Sequence, residues 1–139
     1  MRASFVVDSS VAMAWCFQDE ATPVTERLLD RMGTEAAAVP DWWHLEIANA
    51  LVLAERKNRI SPAQVAEFIS LIERFDLDVD HEGPGRAFSH LLPLCRAHGL
   101  TSYDAVYLEL ALRLRLPLCS LDRGLCAAAR AVGVEVLGD

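Results

Sequence analysis

Residues 101–122 read TSYDAVYLELALRLRLPLCSLD, and the fold class is decided here. Thr101 is a good helix cap, and apolar side chains recur at helical spacing through the stretch that follows it. Pro117 ends that helix. LPLCS (116–120) is a short apolar run of strand type, and Asp122 opens another helix that reaches Val132. Short apolar strands that alternate with amphipathic helices build an α/β domain around a mainly parallel sheet.

The same alternation extends to both ends of the chain. ASFVV (3–7) is a strand followed at once by Asp-Ser-Ser, and residues 9–17 and 22–32 read as helices, the second with Pro23 in its first turn. AAAVP (36–40) is a strand, after which Asp41 caps a helix through Lys57. Ser61-Pro62 opens a helix to about Phe75, LDVD (77–80) is a strand, and Gly99 stops a helix over 85–98. VEVL (134–137) is the last strand, so the sheet is expected to hold four or five strands in one domain, 1–139.

At 139 residues, 53% apolar and 24% charged, the chain fits one globular domain with a proper core. No apolar run reaches the ~20 residues of a membrane span. MRASFVVDSS lacks the apolar stretch of a secretory signal, so a cytoplasmic protein is expected. The net charge of −7 counts against a non-specific nucleic-acid coat, since such binding is driven by Lys and Arg displacing counterions. Twelve of the thirteen basic residues are arginine, which leaves local phosphate- or carboxylate-binding patches open. Cys16, Cys95, Cys119 and Cys126 form no C-x-x-C pair, and Cys95 with His98 is a lone C-x-x-H; reduced thiols are expected.

Four acids map to the edge where the strands of such a sheet end and the helices begin, which is where open α/β sheets bind ligands. Asp8 ends the first strand, Glu46 lies in the second turn of the helix after the second, Asp104 opens the helix entering the fourth, and Asp122 follows the fourth. Three of them have a simpler reading. Asp122 is a good N-cap, Asp104 completes a Thr101-x-x-Asp104 pattern like a capping box, and Asp8 favours the positive end of its helix.

Glu46 resists that treatment. It sits in HLEIANALVLA (44–54), beyond the capping positions, and shares its helix face with Trp42, Asn49 and Leu53. Asn49 is placed to order the carboxylate or a water. Four carboxylates in one pocket repel, and some take up protons unless a cation is present. Oxygen ligands of this kind suit Mg²⁺ or Mn²⁺, which lowers the pKa of a bound water and stabilises charge on a phosphodiester.

These residues carry a resemblance. VVDSSVAMAWCF (6–17), VPDWWHLEIANAL (39–51) and LTSYDAVYLELALRLRLPLCSLDRGLCAAARAVGVEVL (100–137) resemble the PIN-domain ribonucleases, and among them the VapC-type toxins of toxin–antitoxin pairs. The resemblance implies a three-layer α/β/α domain. It implies that Asp8, Glu46, Asp104 and Asp122 are catalytic and hold the metal, Mg²⁺ or Mn²⁺, with Ser120 and Ser9 in supporting hydroxyl positions. It further implies cleavage of RNA to 5′-phosphate and 3′-hydroxyl ends, a homodimer, and a cognate antitoxin protein. Where some members carry a further acid two residues after the fourth, this chain has Gly124, which puts a second ion in doubt.

Arg123, beside Asp122, and Arg86, after a Gly-Pro-Gly turn, are candidates for phosphate binding, with solvated surface arginine as the alternative for each. Arg113 and Arg115 read as surface residues. Apolar positions on the helix 42–54, with Val65, Phe68, Ile69 and Ile72 on the next, leave a remainder for a second copy or an antitoxin segment. Two rivals stand. A receiver-type phospho-acceptor needs a strand-end lysine, whereas Lys57 lies at a helix terminus, and no nucleotide-cradling glycine motif occurs. The other is a non-catalytic PIN-like binding module.

Overall fold

The computed structural model describes residues 3–137. Its sheet is built from β1 (Ala3–Val7), β2 (Ala36–Pro40), β3 (Leu77–Asp80) and β4 (Leu118–Cys119), in the order β3-β2-β1-β4 with every pairing parallel. Parallel neighbours need crossovers, and helices supply them: α1 (Ser9–Cys16), α2 (Pro23–Met32), α3 (Trp43–Arg56), α4 (Pro62–Ile72), α5 (Gly83–Arg86), α6 (Leu92–His98), α7 (Ser102–Leu114) and α8 (Arg123–Ala131). The result is an α/β domain with helices layered on both faces of a central parallel sheet.

The strand sequences explain the layering. All five residues of β2 are buried, as are Phe5, Val6 and Val7 of β1, so both central strands are covered on both faces. Alanines at 36, 37 and 38 leave room for α7 to lie across β1 and β2. That helix is buried from Ala105 to Ala111, apolar around most of its girth. Trp43, Tyr107, Phe5 and Leu108 are the largest side chains sealed into the core. β3, at the sheet edge, is only half-buried and carries aspartates, a composition that discourages further strand pairing.

Four local expectations are revised. The helix expected over 85–98 starts at Gly83 and contains a π-helical turn at Ala87–Leu91, so it is interrupted rather than continuous. VEVL contributes a single parallel bridge, Val136 to Leu118, in place of a strand. Asp41 does not cap α3: the cap position is Trp42, without a side-chain bond, and Asp41 instead lies 3.3 Å from His81 Nδ1. Because α3 therefore starts later, Glu46 falls in its first turn, not its second. Gly99 does stop α6, in the left-handed region at φ 66°, where glycine has no steric penalty.

Candidate functional site

The sheet order puts β1 in the middle, with the chain leaving it toward β2 on one side and returning to β4 on the other. The crevice beyond β1 and β4 is thus the topological switch point of the sheet. Register then fixes the neighbours there. Val7 pairs with Cys119, so the next residues, Asp8 and Ser120, meet beyond the strand ends. The Asp8 N–H donates to the Cys119 carbonyl at 3.0 Å, and the Ser120 hydroxyl donates to Asp8 Oδ2 at 2.5 Å.

Asp8 is 5% exposed and heavily bonded. Its Oδ1 accepts from the Ser10 hydroxyl at 2.5 Å and from the Val11 N–H at 3.3 Å, the latter capping α1. Burial nonetheless dominates, and lifts the carboxyl from 3.8 to about 6 against the pull of these donors. The two serine oxygens are themselves tied down: Ser120 Oγ accepts from the Asp122 N–H and Ser10 Oγ from the Leu121 N–H, each at 3.0 Å. Cys126 adds a thiol bond to the Ser120 carbonyl. The loop carrying Asp122 is thereby fastened to the carboxylate that ends β1.

The other acids arrive from the helix starts. Thr101 caps α7 by accepting from the Asp104 N–H at 3.2 Å, but the return bond of a capping box is absent among the described residues. The Asp104 carboxylate instead bonds with the Thr101 side chain; burial, followed by repulsion from Asp122, outweighs the lowering by that bond and raises its pKa. Asp122 caps α8 with one oxygen, accepting from the Leu125 N–H at 2.8 Å.

Glu46, half-buried, accepts from the Tyr107 hydroxyl. Burial is the main influence raising its pKa; bonds from Tyr107 and Ser9 oppose the shift, while repulsion from Asp104 adds to it. The Tyr107 hydroxyl is in turn pushed upward, chiefly by burial and then by Glu46, with a smaller contribution from Asp8. These couplings link the acids in one field: Glu46 to Asp104, Asp104 to Asp122, and Asp8 to Glu46 through Tyr107. Among the described residues no three His, Cys, Asp or Glu side chains are already gathered as a metal-holding group. The donor set is of the chemical kind a hard divalent cation takes, carboxylate oxygens, and burial is the first cause of the raised pKa values of Asp8, Glu46 and Asp104.

The remaining expected residues divide. Ser9 bonds with Glu46 and Tyr107, and Ser120 with Asp8, as supporting hydroxyls would. Asn49 does not support Glu46: it is exposed and bonds to none of the four acids among the described residues. Arg123 is exposed beside Asp122, with no ion pair among the described residues. Arg86 is not free for phosphate, since its Nε donates to Glu109 at 2.8 Å and its Nη1 to Glu82 at 3.4 Å. Nor is Arg113 a surface residue. Its guanidinium grips both oxygens of Asp80, at 2.8 and 2.9 Å, and also bonds Glu109.

Sequence reasoning missed Ser10 and Tyr107. Ser10 was legible in part as the second serine after the capping Asp8, two residues on, where a hydroxyl can reach back to the carboxylate. Tyr107 was hidden by its apolar neighbours; a phenol in a helix buried on every side needs a polar partner, and that was the signal.

No protein-family model and no curated protein matches the chain. Among solved structures, the crystal structure of PAE2754 from Pyrobaculum aerophilum is similar over 97% of this chain and 84% of that one, with a TM-score of 0.70 and 22% sequence identity. At that identity the likeness establishes the fold.

Proposed function

We propose that this protein is a divalent-metal-dependent endoribonuclease of the PIN-domain type, acting as the toxin of a VapC-like toxin–antitoxin pair. The observation that carries the reading is the electrostatic coupling of Glu46, Asp104 and Asp122, with buried Asp8, at the switch point of a parallel sheet. These residues are scattered over 115 positions, and a fold rarely assembles uncompensated carboxylates without a ligand for them. The sequence motifs around the same four acids support the family.

Asp8 and Asp104 would hold Mg²⁺ or Mn²⁺, with Asp122 and Glu46 completing the set directly or through water. When bound, the ion supplies positive charge that activates water and stabilises a phosphodiester in displacement. Ser10 and Ser120 orient Asp8 by occupying one oxygen each. Tyr107 orients Glu46, whose raised basicity suits it to accept a proton from the attacking water. Arg123, exposed at the start of α8, is placed to meet a phosphate.

A cognate antitoxin and a second copy of the chain are the proposed partners. Val52 and Leu53 on α3 and Ile69 on α4 remain about two-fifths exposed, while Phe68 and Ile72 are buried, so the apolar remainder expected for such contacts exists. No helix among the described residues is long and apolar enough to cross a membrane.

The test is cleavage of RNA by the purified protein with Mg²⁺ or Mn²⁺. Asp8→Asn and Asp104→Asn should each abolish cleavage while the protein stays folded; full activity in either variant would remove that residue from the mechanism. Sequencing the RNA ends after brief expression, with Asp8→Asn as control, identifies the substrate. A binding module without catalysis would show no metal-induced rise in melting temperature with either ion.

A further inference from the structure

We infer that Trp42 and Tyr103 form a base-stacking platform which seats an unpaired RNA strand beside the acid cluster. This rests on the nuclease reading above for its substrate, and on three observations for its location. First, the two rings stack, with centroids 4.6 Å apart and planes inclined by 36°, while Tyr103 keeps 59% of its surface exposed. One face of the phenol is backed by the indole and the rest is open to solvent.

Second, the pair adjoins the acids along both helices that carry them. Trp42 caps α3 one helical turn before Glu46, and Tyr103 immediately precedes Asp104 in the first turn of α7. Leu45, beside Glu46, is 71% exposed and continues the apolar rim. A base stacked on Tyr103 therefore places the neighbouring phosphates over the carboxylates.

Third, hydrogen bonding does not account for a tryptophan at 42. Its indole N–H is buried with no acceptor among the described residues. Trp43 shares that feature, but it is wholly buried and fills the core. Trp42 is only half-buried: it packs against the edge of the core and also presents a ring face to Tyr103.

Charge leads to the same conclusion. A protein of net charge −7, with Arg86 and Arg113 consumed by carboxylates, gains little from phosphate contacts. Stacking on aromatic faces adds affinity for a nucleic acid beyond the phosphate contact that Arg123 is placed to make, is largely indifferent to sequence, and requires unpaired bases.

The experiment titrates the full chain, in EDTA to prevent cleavage, with a short single-stranded RNA, an abasic strand of equal length, and an RNA duplex. Tryptophan emission and fluorescence anisotropy are the readouts. The single strand should bind and quench emission, the other two should bind at least about tenfold more weakly, and Tyr103→Ala should lose about tenfold in affinity for the single strand. Trp42→Phe should retain part of the affinity but lose most of the quenching. The slope of log affinity against log salt should correspond to only one or two phosphates, roughly −1.

Equal binding of the abasic strand, an unchanged Kd in Tyr103→Ala, or no binding of any strand would overturn the platform. So would Trp42 emission that responds to protein concentration but not to RNA, because the pair would then be covered by a second copy. Failure of the two readings is separable. Stacking without cleavage under any divalent ion refutes the nuclease alone, and metal-dependent cleavage with an unchanged KM in Tyr103→Ala refutes the platform alone.

Discussion

Tyr107, sealed inside α7, donates its hydroxyl to Glu46 on α3 across the cleft at the end of the sheet. The bond joins the two helices that carry Glu46 and Asp104, and it fixes one oxygen of the half-buried carboxylate.

Tyr107→Phe should leave the ring packing intact and remove only this donor. Loss of one partner from a hydrogen bond to a charged group costs about 1.5–3 kcal/mol, toward the lower end for the half-buried Glu46, which denaturant melts without metal would record. With its carboxylate no longer held, the variant should also need several-fold more Mn²⁺ to reach half of its metal-induced rise in melting temperature. An unchanged Mn²⁺ midpoint would limit Tyr107 to packing.

The pKa of Asp8 sets a pH dependence whose sign is fixed. Its folded value, about 6, lies above the ordinary 3.8, so between those values the native state holds more protons than the unfolded one. Stability therefore falls as pH rises through that window, by up to ~3 kcal/mol for a shift of this size at 1.36 kcal/mol per unit. Asp8→Asn is exempt. The stability of the variant relative to the native protein should grow from pH 4 to about 6 and level off above it, in melts without metal. A difference independent of pH would show that Asp8 ionises normally in the fold.

Divalent cations should reverse that penalty. Glu46 and Asp104 are shifted in the same direction as Asp8, so all three bind protons in competition with a metal. The rise in melting temperature caused by Mn²⁺ should be larger at pH 7.5 than at pH 5, and absent in an Asp8→Asn, Asp104→Asn double variant. Calorimetry should register proton release on binding at the lower pH.

Arg113 is predicted to be structural. Its side chain is 17% exposed, and its main partners, Asp80 and Glu109, are 14% and 6% exposed. Arg113→Met should cost roughly 3–5 kcal/mol, because both carboxylates would be left buried with less compensation. Glu109→Gln introduced into that variant should recover part of the loss. Additive effects of the two changes would indicate that the groups do not interact.

How much of this was legible depended on whether a feature is local or long-range. Most strand and helix identities followed from local periodicity and caps: Thr22, Ser61, Thr101 and Asp122 cap as their types suggest, whereas Asp41 does not cap and VEVL supplies only a bridge. The expectation that the four acids share one edge of the sheet followed from one topological fact, that helices leave a parallel sheet from the ends of its strands; the structure couples Glu46 with Asp104 and Asp104 with Asp122. What local signals could not supply was pairing across the fold. The register of Val7 with Cys119, which sets Ser120 against Asp8, spans over a hundred residues. The capture of Arg86 and Arg113 by Asp80 and Glu109 likewise required the placement of β3 against α7. Asn49 failed for a subtler reason: a three-residue spacing along a helix permits contact without producing it, and the side chain turned to solvent.

The central claim is that Asp8 and Asp104 share one divalent ion. Anomalous diffraction from crystals grown with Mn²⁺ tests it most directly. A manganese peak should lie at coordination distance, about 2.1 Å, from one oxygen of each, with Glu46 and Asp122 facing it directly or through water. A map at saturating Mn²⁺ with no peak between Asp8 and Asp104, or with the metal held elsewhere on the chain, would contradict it.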